Sequence, residues 1–262
     1  MLAEFDSQVR RSARPDGSGA RIEADGNVVR WVAVDGQGWS GITWSDFDEH
    51  SADPAIAGQV AYFRGLGQKF EWKLYDYDRP ADLARRLLAQ DFVAEDPEAL
   101  MVAEVSSLPT DASLPDGITL LPVSNDAGVA LLIEVHEKVF GTDHSQLRRS
   151  LLSQSRDAPE MTAMVVAMAG EQPVCSARIE FFPGRDFASL WGGGTVPGWR
   201  GRGIYRALVA YRAQLAAAHG YRYLQVDASA DSQPILTRLG FISLARTTPY
   251  LWHPPTVRNW AG

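Results

Sequence analysis

The stretch SLWGGGTVPGWRGRGIYRALVAYRAQLAAAHG, residues 189–220, constrains the chain more than any other. An apolar run passes through a glycine-rich, arginine-bearing loop directly into a segment whose apolar residues Ile204, Ala207, Leu208, Tyr211, Leu215 and Ala218 follow the 3.6-residue period up to Gly220. That pattern predicts a strand, a loop and an amphipathic helix lying on a sheet. The first N–H groups of a helix have no internal partner and sit at the positive end of its dipole. A glycine-relieved loop carrying Arg200 and Arg202 at such a helix start predicts an anion site suited to a diphosphate.

The neighbouring segments predict a mixed α/β layer architecture. Residues 118–123 read as a strand, and Ser124 or Asn125 caps a helix that Gly141 stops after Phe140, with Ala130, Leu131, Ile133, Val135 and Val139 as its apolar face. A more polar helix over 143–156 precedes a hairpin of MTAMVVAMA and VCSARIEFF. Phe187 to Val196, Tyr221 to Val226 and Phe241 onward read as further strands, with a short helix over 232–239, giving the order βααβββαβαβ. Upstream, SSLPTDASLPDG (106–117) has the composition of a linker. FEWKLYD, PADLARRLLAQDF and VAEDPEALMVAEV repeat the order of YRYLQVD, QPILTRLGF and ISLARTTPYLW, each set following a helix, so the N-terminal part reads as a second, diverged copy.

Arg200-Gly-Arg-Gly-Ile-Tyr205 resembles the R/Q-x-x-G-x-G/A signature of the GNAT superfamily of N-acetyltransferases, and ILTRLGF is similar to that family's LYxKLGF. The resemblance covers roughly residues 118–252. It implies a GNAT acyltransferase domain over 118–262, a degenerate GNAT-like domain over 1–105 that is structural or shapes the acceptor side, and an arrangement similar to tandem GNAT proteins. It implies acetyl-CoA as acyl donor, its diphosphate on Arg200, Gly201, Arg202, Gly203, Ile204 and Tyr205, its pantetheine along Thr195 and Val196, and Ser232 nearby. The acceptor is expected to be an amine on a small molecule or peptide, attacking the thioester directly, with Glu180 or Asp227 as base. Two residues depart from the family pattern: Tyr205 stands where Gly or Ala is preferred, and Leu236 where many members place an acidic tyrosine. Ser232, Tyr250, water or nothing fills that last role. The departure keeps a silent acyl-CoA-binding or regulatory protein as the alternative, and a nucleotide-binding loop as a third.

Each candidate has a plainer structural reading. Glu180 shares a strand face with Ser176 and Arg178 and can simply pair with Arg178 or Arg185, while Asp227 can cap a turn. Gly192, Gly193 and Gly194 predict a bulge that turns backbone N–H groups toward the thioester. Cys175, the single cysteine, is expected in the core and inert, and with no CxxC or His/Cys cluster no metal is expected. His136 and His144 receive no role, and Trp31, Trp39, Trp44, Tyr62, Phe63 and Trp72 read as core. Residues 1–115 carry a net charge of −9 and residues 116–262 a net of +2, within an overall −7. That balance speaks against nucleic acid as a partner. The N-terminal stretch has no signal-peptide core and no apolar run has spanning length, so a cytoplasmic protein without membrane contact is expected.

Overall fold

The computed structural model describes residues 1–14, 19–34, 38–109, 113–141 and 143–255. Along the chain lie α1 (Leu2–Phe5, running on as a π-helical turn Asp6–Arg11), β1 (Arg21–Asp25), β2 (Val28–Val32), β3 (Gly41–Ser45), α2 (Ala52–Leu66), β4 (Phe70–Tyr75), α3 (Leu83–Leu88), β5 (Val93–Ala94) and β6 (Glu98–Glu104). They are followed by β7 (Ile118–Val123), α4 (Asp126–Phe140), α5 (Ser145–Asp157), β8 (Thr162–Ala169), β9 (Gln172–Glu180), β10 (Phe187–Thr195), α6 (Ile204–Ala218), β11 (Tyr223–Ala228), α7 (Gln233–Arg238) and β12 (Ile242–Trp252). The helix stops are chemical: Asn125 accepts the Gly128 N–H at 2.9 Å, and Gly141 closes α4 in the left-handed region at φ 66°.

Two compact units result, Met1–Gly19 with Glu98–Leu244 and Ala20–Pro97 with Ala245–Gly262. In the first, β7, β8, β9 and β10 form an antiparallel series, β10 runs parallel to β11, and β11 pairs antiparallel with β6. In the second, β1, β2 and β3 are antiparallel, β3 runs parallel to β4, and β4 pairs antiparallel with β12. The order helix, strand, helix, strand runs through α2–β4–α3–β6, with the two-residue β5 before its last strand, and again through α6–β11–α7–β12. The last strand of each set joins the other unit. Because of this exchange, the compact units differ from a division at 105 and 118.

The sheet face of the first unit that carries Ile179, Leu190 and Leu224 packs on α6 and α7 through Val209, Ala213 and Leu236, all buried. On the opposite face Val123, Met164 and Val166 pack on α4 and α5 through Val129, Leu132 and Leu151. The expected face of α4 holds in part, with Ile133 and Val135 buried. Ala130 is exposed and Leu131 only partly buried, whereas Val129, Leu132 and His136 point inward. Segment 106–117 is anchored by apolar contacts, with Leu108 in the core and Leu114 packed beside Ile118, while Thr110, Asp111 and Ala112 lie outside the described residues. Among the described residues, no helix is long and apolar enough to cross a membrane.

Candidate active site

The two parallel strands β10 and β11 pair only over Phe187↔Tyr223, Ala188↔Leu224 and Ser189↔Gln225. Beyond that point β10 follows β9 while β11 continues along β6 to Ala228↔Ala99, so one edge of each strand is released into a cleft. Between the pairs Trp191↔Arg178 and Gly194↔Ser176, two residues of β10, Gly192 and Gly193, oppose the single Ala177 of β9, which is the bulge expected from the glycine run. Each of the three glycines makes room for a different side chain. A methyl group on Gly192 would lie 2.6 Å from Nε2 of His136, on Gly193 2.9 Å from Cε2 of Tyr205, and on Gly194 2.9 Å from Cγ1 of Val139.

After the strand, Pro197–Trp199 makes a 3-10 turn and the chain enters α6 through Gly201 and Gly203, both left-handed at φ 75° and 85°. Positive φ is what requires glycine here, since a methyl group on Gly201 meets nothing within 4 Å. The first helical bond runs from the Ala207 N–H to the Gly203 carbonyl at 3.1 Å, so the N–H groups of Ile204, Tyr205 and Arg206 precede it. Arg200 and Arg202 are both exposed at this corner. Arg200 Nε donates to the Thr195 carbonyl at 3.1 Å, and the Arg202 guanidinium lies 4.5 Å over the Trp199 ring. Beside the corner, a cavity of about 480 Å³ is lined by Leu108, Ser113, Arg206, Val209, Ile235 and Arg238.

Thr195 and Val196 are less open than expected. The Val196 N–H donates to the Val174 carbonyl at 2.9 Å and the Thr195 carbonyl is taken by Arg200, because this end of β10 is still paired to β9. Ser232 stands just before α7 without a side-chain cap, its hydroxyl donating to the Ser229 carbonyl at 3.2 Å. Tyr250 pairs with Trp72 and lies in the core of the second unit.

Glu180 and Asp227 face the same side of the sheet, toward α4, since Ser189 opposes Glu180 on one flank and Gln225 on the other, with Asp227 two residues beyond. Gln225 Nε2 donates to Ser189 Oγ at 2.5 Å. Glu180 is 9 % exposed and accepts from Arg178 Nε at 3.2 Å, the plainer ion-pair reading, while Arg185 turns to the Ser12 carbonyl. Asp227 is half-buried on β11. His136, left without a role by its mid-helix position, fills the slot of Gly192 and hydrogen-bonds its main chain. Burial, then the nearby Arg178 and His144, hold its pKa down at about 4, so the ring is neutral at pH 7. Cys175 is fully buried, and burial pushes its thiol up to about 11 even though Thr195 Oγ1 donates to it at 3.1 Å. Such a thiol is inert. Among the described residues no group of three or more His, Cys, Asp or Glu side chains could hold a metal ion.

Sequence reasoning missed Arg212. It is 1 % exposed in the middle of α6, its Nε donating to the Leu208 carbonyl at 3.0 Å and its Nη1 to the Arg178 carbonyl at 3.2 Å. Its spacing was the available signal, because 212 lies one turn beyond Leu208 on the buried stripe.

The family model for the acetyltransferase (GNAT) family matches residues 129–241, from α4 to the start of β12. This stretch of the chain is similar to a GNAT domain. No curated protein matches the chain. Among solved structures, the chain is similar to a GCN5-related N-acetyltransferase from Kribbella flavida, at 20 % identity and TM-score 0.70, covering 97 % of this chain and 94 % of that one. It is similar to a GCN5-related N-acetyltransferase from Sphaerobacter thermophilus at 17 % identity and TM-score 0.61, over 87 % and 76 % of the two chains. A tandem GNAT protein from the clavulanic acid biosynthesis pathway aligns over 96 % and 92 % at 11 % identity and TM-score 0.61. At such identities the likeness is one of fold, and it spans both units.

The second unit's counterpart of the anion corner is built differently. Before α2, the Asp48 carboxylate accepts the Ser51 hydroxyl at 2.6 Å, the Ser51 N–H at 2.7 Å and the His50 N–H at 3.0 Å, and these bonds, the hydroxyl's above all, hold its pKa below the usual carboxylate value. A fixed acid occupies this helix approach, whereas the corner before α6 presents arginines.

Proposed function

We propose that the chain is an acyl-CoA-dependent N-acyltransferase, moving an acetyl or other short acyl group to a primary amine of a small molecule or peptide by direct attack in a ternary complex. The observation that carries this reading is the glycine-relieved corner 200–205 at the mouth of the splayed β10 and β11. Open helix-start N–H groups and two exposed guanidinium groups suit a diphosphate. With the Thr195 carbonyl and Val196 N–H engaged, the pantetheine is assigned instead to the released edge of β10 from Leu190 to Gly194. The cavity beside Arg206 and Arg238 offers an apolar wall and two cations to the phosphorylated adenosine end.

The bulge supplies main-chain donors for the thioester oxygen, and Glu180 and Asp227, on the α4 face, are the candidates to take the amine proton through water. His136, held neutral, keeps the bulge in shape. Addition of acetyl-CoA is expected to raise the Tm, and a panel of amines should then release free thiol from the wild-type protein. Stabilisation by ATP and not by acetyl-CoA would defeat the reading. A silent CoA-binding protein is the second reading, favoured by the fully buried Leu236 standing where many members of the family place a tyrosine acid. It predicts the same stabilisation and no thiol.

A further inference from the structure

We propose that Tyr205 is the general acid that protonates the departing thiolate, and that Arg212 holds the resulting phenolate. The inference rests on the acyl transfer proposed above. Three observations on the α6 face of the bulge carry it. The Tyr205 ring is packed directly against Gly193, at the centre of the bulge, on the side of β10 away from Glu180. Arg212 reaches the same place from one turn further along α6, with Nη2 3.6 Å from where a Gly193 methyl group would sit. Finally, Arg212 is buried with Nε and Nη1 spent on carbonyls, and its remaining polar interaction is with the Tyr205 hydroxyl, no other acceptor meeting Nη2.

A guanidinium buried without a carboxylate is costly and calls for an anion that forms near it. The ionisable groups facing Tyr205 are Arg212 on α6 and the Cys175 thiol on β9, with Arg178 on β9 beyond Arg212. Burial raises the Tyr205 hydroxyl and Arg212 pulls it down, so at pH 7 it is a protonated phenol. Cys175, with its thiol near 11, is no competing acid.

The step balances without a further reagent. The amine nitrogen bonds to the thioester carbon, the carbon–sulfur bond breaks with its electron pair on sulfur, and the Tyr205 proton passes to sulfur to give the free thiol. The amine proton leaves on the α4 side toward Glu180 or Asp227, and water returns a proton to the phenolate beside Arg212. Acid and base thus stand on opposite faces of one bulge.

The test is Tyr205→Phe in the full chain, assayed by thiol release from acetyl-CoA with an amine that the wild type accepts. Expected is a fall in kcat of roughly 100-fold or more, the ordinary contribution of a general acid, with KM for acetyl-CoA changed by less than about threefold. The alkaline descending limb of the wild-type kcat profile should be lost in Tyr205→Phe. In Arg212→Met it should move to higher pH, and Arg212→Lys, which keeps the cation, should restore its position. Tyr205→Phe at wild-type kcat, an unchanged alkaline limb, or a Tyr205→Ala variant faster than wild type would each overturn the proposal. Acetyl-CoA should still raise the Tm of Tyr205→Phe. If it does and kcat is unchanged, the acid assignment alone fails. If the wild type releases thiol with none of the amines, the acyl transfer fails and takes the inference with it.

Discussion

Gly192 and Gly201 both sit at positive φ, 57° and 75°, yet a methyl group meets different surroundings at each. At Gly201 it enters open space, so Gly201→Ala should cost only the strain of a left-handed alanine, about 1–2 kcal/mol in urea unfolding. At Gly192 the same strain is joined by a clash with the His136 ring 2.6 Å away, and a loss of roughly 3 kcal/mol or more is expected. His136 also sets a pH dependence. Its folded pKa of about 4 lies below the ordinary histidine value of 6.5, so the unfolded chain binds the extra proton between these values. Stability linked to this group is complete above pH 6.5 and declines as pH falls through 4, by up to roughly 3 kcal/mol. Urea unfolding between pH 7.5 and 5 should show a pH slope in the wild type that shrinks by nearly one proton in His136→Asn. An undiminished slope would show that another group carries it. Arg212 and Tyr205 explain why the sequence was a poorer guide here than at the corner: period and motif mark a helix start, but not which side chain folds back beneath a bulge.

At the scale of elements, the strand–loop–helix of residues 189–220 was legible because its glycines are demanded by backbone conformation. Positive φ at 201 and 203 and the bulge at 191–194 leave few other residues possible. The α4 boundaries were equally legible, through the Asn125 cap and Gly141, and Asn125→Ala is expected to lower stability by about 1 kcal/mol. The face of α4 was legible only in part, since Ala130 and Leu131 are as apolar as the residues that actually face the sheet, and His136 reads as polar. The partners of β6 and β12 were also out of reach. Both strands follow a short helix in their own repeat, and nothing in their composition says that each joins the other unit.

For the whole molecule, the exchange of β6 and β12 makes the two units interdependent in sequence. A fragment of residues 118–262 lacks β6, whose Leu100 to Ala103 are buried, and so leaves the edge of β11 bare. It should show no cooperative unfolding transition by circular dichroism, whereas the full chain should; a well-folded fragment would contradict the role given to the exchange. The acidic approach at Asp48 predicts a single nucleotide-sized ligand per chain, held at the corner before α6. The most direct measurement is calorimetric titration of acetyl-CoA into the wild type and into Arg200→Ala plus Arg202→Ala, with circular dichroism to verify the fold. The account predicts one site per chain, weakened at least about tenfold in the double variant, as expected for the loss of two charge-assisted phosphate contacts. Equal affinity in the two folded proteins would contradict it.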